Sequence, residues 1–507
     1  MTLEFPADNL SPLARELGIT DWLSRFHHPV PILGKILLQP LKEKEAKKRY
    51  QQLDQLKNQL ESHALNAFDF LKSTQLLPPL EPVINAMRHH CLEQVDLHQL
   101  GAYLKQELDL LKLEEGIKDG TVNKLCIQQI WKILENFLED DFGSIRYKSS
   151  ALKKQARLAS QKQKLEEEIQ NLEKLIFSHC GLKLTYGYPR EIQDPDENLL
   201  QRLQSTPHLV LRDEGNHLVV RIQLPMQLLQ LEEEQLQLME LLNSELNHTL
   251  IKLNQEIRPF LDPLESLYQQ RQVRSLHYLL LTACDQLKLT IPRISSKPIF
   301  QVKKGKLPFM EKNTKDYVPL DFEMNPGANL LVGANMSGKT TILKTLYFLA
   351  TLVEYGLPVP ATSLELRFPR GIHCHFPNAG NLRKNLSALG DELEFWSAKF
   401  QKGAILFVDE MFHSTDPVSG MYLTQAFIEE FQAKELFLLA TTHYREALEL
   451  PEPVFFRMVS NGKASVFQPG EVALENMETA SLRAALKFSI PTGVKSKIRK
   501  RIQRKKN

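Results

Sequence analysis

The chain has 507 residues, and 63 Lys and Arg against 61 Asp and Glu leave it close to neutral, so net charge names no partner. The length suits roughly three or four domains. The five cysteines (91, 126, 180, 284 and 374) are odd in number and lack paired spacing, which speaks against a disulfide frame or a zinc site and for reduced thiols. The opening MTLEFPADNLS has no basic region and no apolar core, and no apolar run is long enough to span a bilayer. No signal peptide or membrane contact is therefore expected, and a cytoplasmic location is.

Residues 1–145 read as helices. The stretch AKKRYQQLDQLKNQLESHALNAFDFLKS spaces its apolar residues three and four apart, and LLPPLEPV punctuates it. Residues 146–258 read as an arm. Leu158, Leu165, Ile169, Leu172 and Ile176 form a narrow seam on a charged helix. Met239, Leu242, Leu246, Leu250, Leu253 and Ile257 form a second, until Pro259 and Pro263 interrupt it. Two such stripes suit antiparallel helices packed on each other, although the core of a plain helix bundle would look the same. Between the stripes, LKLTYG and HLVLRDEGNHLVVRIQL read as a small β tip. In the latter, two alternating runs flank a turn at Asp213-Glu214-Gly215-Asn216, a hairpin signal. Residues 259–299 return to helix.

From 300 to about 475 the pattern changes. Strand-like ANLLVG, GAILFVDE and ELFLLATTH alternate with helical stretches, which implies a mostly parallel sheet covered by helices. Gly333-Ala334-Asn335-Met336-Ser337-Gly338-Lys339-Thr340 fits G-x-x-x-x-G-K-[ST], with an apolar run before it and a helical pattern after it. Glycines let such a loop turn its N–H groups onto phosphate oxygens. Lys339 can then reach the β- and γ-phosphates, and Thr340 can place its hydroxyl on Mg²⁺. ATP and Mg²⁺ are the cofactors this pattern calls for. AILFV ends in Asp409-Glu410. The first carboxylate can hold Mg²⁺ and the second can orient or activate the attacking water. LLATTH ends in His443, whose imidazole could sense the γ-phosphate. His373-Cys374-His375 resembles a metal cluster, but neighbours on a strand point to opposite faces and no further partner is in view.

Residues 476–507 end in a basic tail. Lys495, Lys497, Arg499, Lys500, Arg501, Arg504, Lys505 and Lys506 lie within twelve residues, and Val494, Ile498 and Ile502 would share one helical stripe. A phosphate-binding strip and a solvated terminus both fit this composition.

These motifs together resemble the MutS family of ATPases, associated with DNA mismatch repair and recombination. GANMSGKTT, extending through Thr341, is close to the family's G-x-N-M-x-G-K-[ST]-T. YGLPVPA resembles its V-P-A loop, and NLRKNLSALGDE its signature segment, with Ser387 followed five residues later by Glu392. VDEMFHST stands where the family has D-E-x-x-x-G-T, and TTHYREALEL resembles A-T-H-Y-x-E-L. The resemblance covers roughly 300–495 and implies a multidomain protein. In it an α-helical core and lever region carries a helical clamp arm with a β tip, ahead of an α/β, ABC-like P-loop ATPase domain.

It further implies a homodimer that holds DNA mainly through phosphates, with Ser387 approaching the partner's γ-phosphate and Tyr317 stacking on adenine. The helical core begins almost at once, which leads to the expectation of a short form without mismatch-reading and connector domains. Two departures stand out. Ala388 and Leu389 follow Ser387, and Phe412, Ser414, Pro417 and Ser419 follow Glu410 where the family prefers other residues. A stalked ATPase of the Rad50/SMC or ABC type, and an ATP-binding DNA scaffold with little turnover, are the alternatives.

Overall fold

The computed structural model describes residues 39–89, 92–114, 117, 124–137, 149–215, 217–313, 317–332, 337–377, 388–432, 435–442, 455–460 and 463–466. It also describes 2–4, 35–37 and five positions between 13 and 22. The chain divides into two compact units, one of residues 80–108 and 121–269, the other of 1–79, 109–120 and 270–507.

The first unit is built on two long helices, Ser149–Cys180 and Met226–Ile257. Leu165 packs with Leu224 and Leu228, and Gln161 donates to Glu234 at 3.0 Å, so the two run antiparallel. The second helix ends where the sequence places its breaker. Pro259 falls in a single 3-10 turn, Arg258–Phe260. Pro263 breaks nothing, because it lies in the first turn of Leu261–Leu287, where the missing N–H has no helical partner to lose. Beyond the helix pair lies a three-stranded antiparallel sheet in the order Arg190–Gln193, His217–Ile222, Leu209–Asp213. The hairpin closes as the sequence suggests: Gly215 takes φ 83° and its N–H is held by Asp213 Oδ1 at 2.9 Å. LKLTYG is not a strand. Its one pairing is an isolated bridge, Thr185 to Tyr188, and the third strand is Arg190–Gln193. Ile176, Cys180, Leu203, Leu218 and Val220 form the core beneath this sheet, with a helix, Glu197–Ser205, closing one side.

The second unit holds a six-stranded sheet in the order Ile372–His375, Ile405–Val408, Phe437–Thr441, Gly327–Val332, Phe455–Ser460, Lys463–Val466. The first five run parallel and the last antiparallel. Ile405–Val408 and Phe437–Thr441 are buried throughout, as strands covered on both faces must be. On one face Leu406, Val408, Leu438 and Ala440 meet Trp396, Phe412, Ile428 and Phe431. Against the other lies the helix Lys339–Glu354, buried along nearly its whole length, with Tyr347 edge-on to Phe407. A second sheet follows the order Arg293–Ser295, Ser363–Arg367, Phe300–Gly305, Leu320–Met324.

The C-terminal end of Lys339–Glu354 is tied to the helix Glu43–Ser62. A helix leaves its last carbonyls without internal partners. Here Leu41 N donates to Glu354 O at 2.8 Å, Arg49 Nη1 to Tyr355 O at 3.1 Å, and Tyr50 Oη to Leu357 O at 3.1 Å. Nearby, Glu114 sits among Arg271, Arg274 and Tyr278, with Arg271 Nη1 at 2.7 Å. Burial alone would raise the Glu114 carboxyl, but the Arg271 charge and hydrogen bond outweigh it and hold it below the usual range.

Candidate nucleotide and metal site

In parallel α/β sheets, ligands bind beyond the carboxyl ends of the strands. Three adjacent strands end together here. Gly327–Val332 leads into residues 333–338, Ile405–Val408 ends at Asp409, and Phe437–Thr441 lies between them. The register sets Val408 beside Ala440, and Thr441 beside Leu331. Thr441 is therefore flanked by the end of the strand Gly327–Val332 on one side and by Asp409-Glu410 on the other.

Lys339 and Thr340 open the helix that follows the loop, behind Gly338 in the left-handed region at φ 103°. Thr340 Oγ1 donates to Asp409 Oδ2 at 2.7 Å. Thr441 Oγ1 donates to Asp409 Oδ1, also at 2.7 Å, and accepts from the Glu410 N–H at the same distance. One buried hydroxyl thus ties the first carboxylate to the backbone of the second. Met411 N donates to Thr441 O at 2.9 Å, which continues the attachment past the strand end. Lys339 is buried beside both carboxylates. Burial pushes its ammonium below the ordinary lysine range, and the negative charges of Asp409 and Glu410 oppose that shift.

The chain reverses sharply after Asp409. Glu410 and Phe412 have φ of 52° and 51°, unusual for residues with side chains. The N–H of Phe412 is held by Glu392 Oε1 at 2.8 Å. Glu392 is buried in the helix Ala388–Ser397, and burial pushes its carboxyl up to about 7.

The Thr340–Asp409 pair suits a hard divalent cation. Thr340 Oγ1 and Asp409 Oδ2, held 2.7 Å apart by their hydrogen bond, would offer a divalent cation the hard oxygen donors that Mg²⁺ takes. Among the described residues no three His, Cys, Asp or Glu side chains converge as a metal site. A cation here would complete its shell with water and phosphate oxygens, as Mg²⁺ commonly does. His373 and His375 instead pack edge-on or tilted against Phe400 and Phe395. The Cys374 thiol is buried and pushed up to about 12.

Tyr317 is half-buried, and its hydroxyl accepts from Leu307 N at 2.7 Å. Ser337 and Thr341 also fall within the described residues. Gly333, Ala334, Asn335, Met336, Ser387 and His443 lie outside them, as does the basic tail. Thr441 is the residue that sequence reasoning passed over. The only signal was its place in ATTH, at the end of the strand between the loop and the acidic pair.

Residues 329–479 match the family profile of MutS domain V. The chain is similar to the protein named Endonuclease MutS2 of Clostridium tetani, 26% identical over 323 residues, or 56% of this chain and 41% of that one. It is similar to the DNA mismatch repair protein MutS of a Geobacillus species, 25% identical over 417 residues, or 76% of this chain and 44% of that one. A second Endonuclease MutS2, from Fusobacterium nucleatum, is 28% identical over 162 residues, or 31% of this chain and 21% of its own. The aligned regions span less than half the length of these relatives. The domain V match takes in the loop strand, the acidic pair and the strand between them, and the similarity to MutS and MutS2 proteins extends upstream of it: residues 329–479 form a domain of the MutS domain V family.

Proposed function

We propose that this protein is a DNA-binding ATPase of the MutS type, acting as a homodimer in mismatch repair or recombination-related DNA maintenance. The observation that carries the reading is the convergence of Thr340, Asp409 and buried Lys339 at the carboxyl ends of adjacent strands. Residues 333–341 would cradle the nucleotide phosphates, and Thr340 with Asp409 would hold Mg²⁺. Bound ATP and Mg²⁺ would supply the labile phosphoanhydride and neutralise its charge. Lys339 would pair with the phosphates, and the charges of Asp409 and Glu410 oppose the downward push that burial gives its ammonium. Glu410, turned off the strand end by its left-handed backbone, would orient the attacking water. His443 would sense the γ-phosphate, Tyr317 would stack on adenine, and Ser387 would act across the dimer.

The antiparallel helix pair with its sheet tip would serve as a clamp arm, gripping DNA mainly through phosphates. Such binding weakens with salt and is largely indifferent to sequence. Binding without turnover is the competing reading. It draws on Phe412, Ser414, Pro417 and Ser419, which depart from the family pattern beside the acidic pair.

The test is ATP hydrolysis and DNA binding measured with perfect duplex, a single-mismatch duplex and a four-way junction, at two salt concentrations. Hydrolysis altered by DNA, with salt-sensitive binding, supports the proposal. Nucleotide binding without hydrolysis favours the scaffold, and absence of both rejects the assignment.

A further inference from the structure

Glu392 is a buried carboxylate for which the ATPase reading, in its simplest form, has no use. It is 3% exposed, one turn before Trp396 on the same helix, whose indole packs among Phe395, Phe400, Phe412, Phe427 and Phe431. A carboxylate in such surroundings loses hydration, a cost that only a hydrogen-bond partner offsets. Packing alone therefore gives no reason for an acid here. Its contact does. Oε1 accepts the N–H of Phe412 at 2.8 Å, at the far end of the left-handed reversal that begins at Glu410. Non-glycine residues in this region are strained and persist only where the surroundings hold them. Several hydrogen bonds hold this reversal: Thr441 takes the N–H of Glu410 and offers its carbonyl to Met411, His413 N donates to Glu410 O at 3.0 Å, and Glu392 takes the N–H of Phe412.

We propose that Glu392 is a positioning residue for Glu410, fixing the backbone reversal after Asp409 by accepting the Phe412 N–H and so aiming the water-orienting carboxylate. The proposal rests on the ATPase reading for its effect on turnover, but not for its effect on backbone order. What the site requires of residue 392 is an acceptor oxygen rather than a charge. Glutamine presents the same carbonyl and mimics the neutral acid. Methionine fills similar space and offers none.

The experiment compares E392Q and E392M with the parent by ATP turnover per bound nucleotide and by hydrogen exchange of a peptide covering residues 405–416. E392Q should keep kcat within about threefold of the parent and retain amide protection. E392M should bind nucleotide within about threefold of the parent affinity, lose at least about tenfold in kcat, and exchange faster at residues 411–412. A space-filling role alone would leave kcat per bound nucleotide unchanged in E392M, and that result overturns the proposal. Equal loss in both variants also overturns it, because charge would then matter and not the acceptor. If the parent binds nucleotide but does not hydrolyse it, the ATPase reading fails by itself, and exchange decides the positioning claim: unchanged protection in E392M refutes it.

Discussion

Replacing Thr441 by valine removes one oxygen and leaves the volume nearly unchanged, so no cavity term enters. Two hydrogen bonds are lost, each 2.7 Å long: the hydroxyl to Asp409 Oδ1, and the Glu410 N–H to that hydroxyl. Thr441 is fully buried, so water cannot simply replace the oxygen. A bond to a carboxylate is worth about 1.5–3 kcal/mol, and an orphaned buried donor costs about 1–3 kcal/mol. Asp409 keeps its second partner, Thr340. Partial relaxation of the Glu410 backbone would recover some of the loss, so about 2–4 kcal/mol of destabilisation is expected. The release of Glu410 should also lower kcat by at least about tenfold, within the range by which a positioned general base contributes. Nucleotide affinity should stay within about threefold, since Lys339 and Thr340 are untouched. Denaturant unfolding and single-turnover hydrolysis measure the two effects, with T441S, which keeps the hydroxyl, expected to restore most of both. Stability within about 0.5 kcal/mol of the parent together with unchanged kcat would refute the role assigned to this hydroxyl.

Three further outcomes are expected. K339A should abolish tight nucleotide binding while the far-ultraviolet helical signal stays at the parent level; unchanged affinity by titration would remove the lysine from the site. His277 is buried near Arg49 and Arg274, and burial first, then those charges, push its imidazole down to about 4. The unfolded chain then binds the extra proton first. The contribution of His277 to stability is complete above about pH 6.5 and is lost as pH falls towards 4, about 3 kcal/mol at most. Unfolding of H277Q between pH 4 and 7 should show a shallower acid loss than the parent. Gly356 lies at φ 67°, which strains any other residue, and a Cβ there would come 2.5 Å from Leu41 Cδ1 and 3.0 Å from Arg49 Nη1, so those side-chain ends would have to shift. G356A should therefore cost about 1–3 kcal/mol by thermal unfolding, through backbone strain and overpacking.

The elements around the site were legible because their chemistry is local. Apolar runs that end at Gly333 and Asp409 declare buried strands, and the structure has them at Gly327–Val332 and Ile405–Val408. The stripe ending at Ile257 likewise gave the second long helix, which breaks at Pro259. What escaped reading depends on pairing between distant residues. Alternation in LKLTYG suggests a strand, but the tip sheet is completed instead by REIQ, whose four residues carry almost no apolar pattern. Thr441 was invisible as a site residue because its role arises from strand order. Only when Phe437–Thr441 falls between the other two strands does its hydroxyl reach Asp409. Glu392 could be picked out by its spacing from Ser387, but its partner, a backbone N–H twenty residues on, could not.

The division of labour between the adjacent carboxylates is the centre of this account, and Glu410→Ala tests it most directly. Mg²⁺-dependent ATP binding and single-turnover hydrolysis should be measured on the parent and the variant under the same conditions. With Asp409 and Thr340 intact, the variant should bind Mg²⁺-ATP within about threefold of the parent and lose hydrolysis by about 10²-fold or more. Hydrolysis within a few-fold of the parent, or loss of binding along with it, would contradict the assignment of metal to Asp409 and water to Glu410.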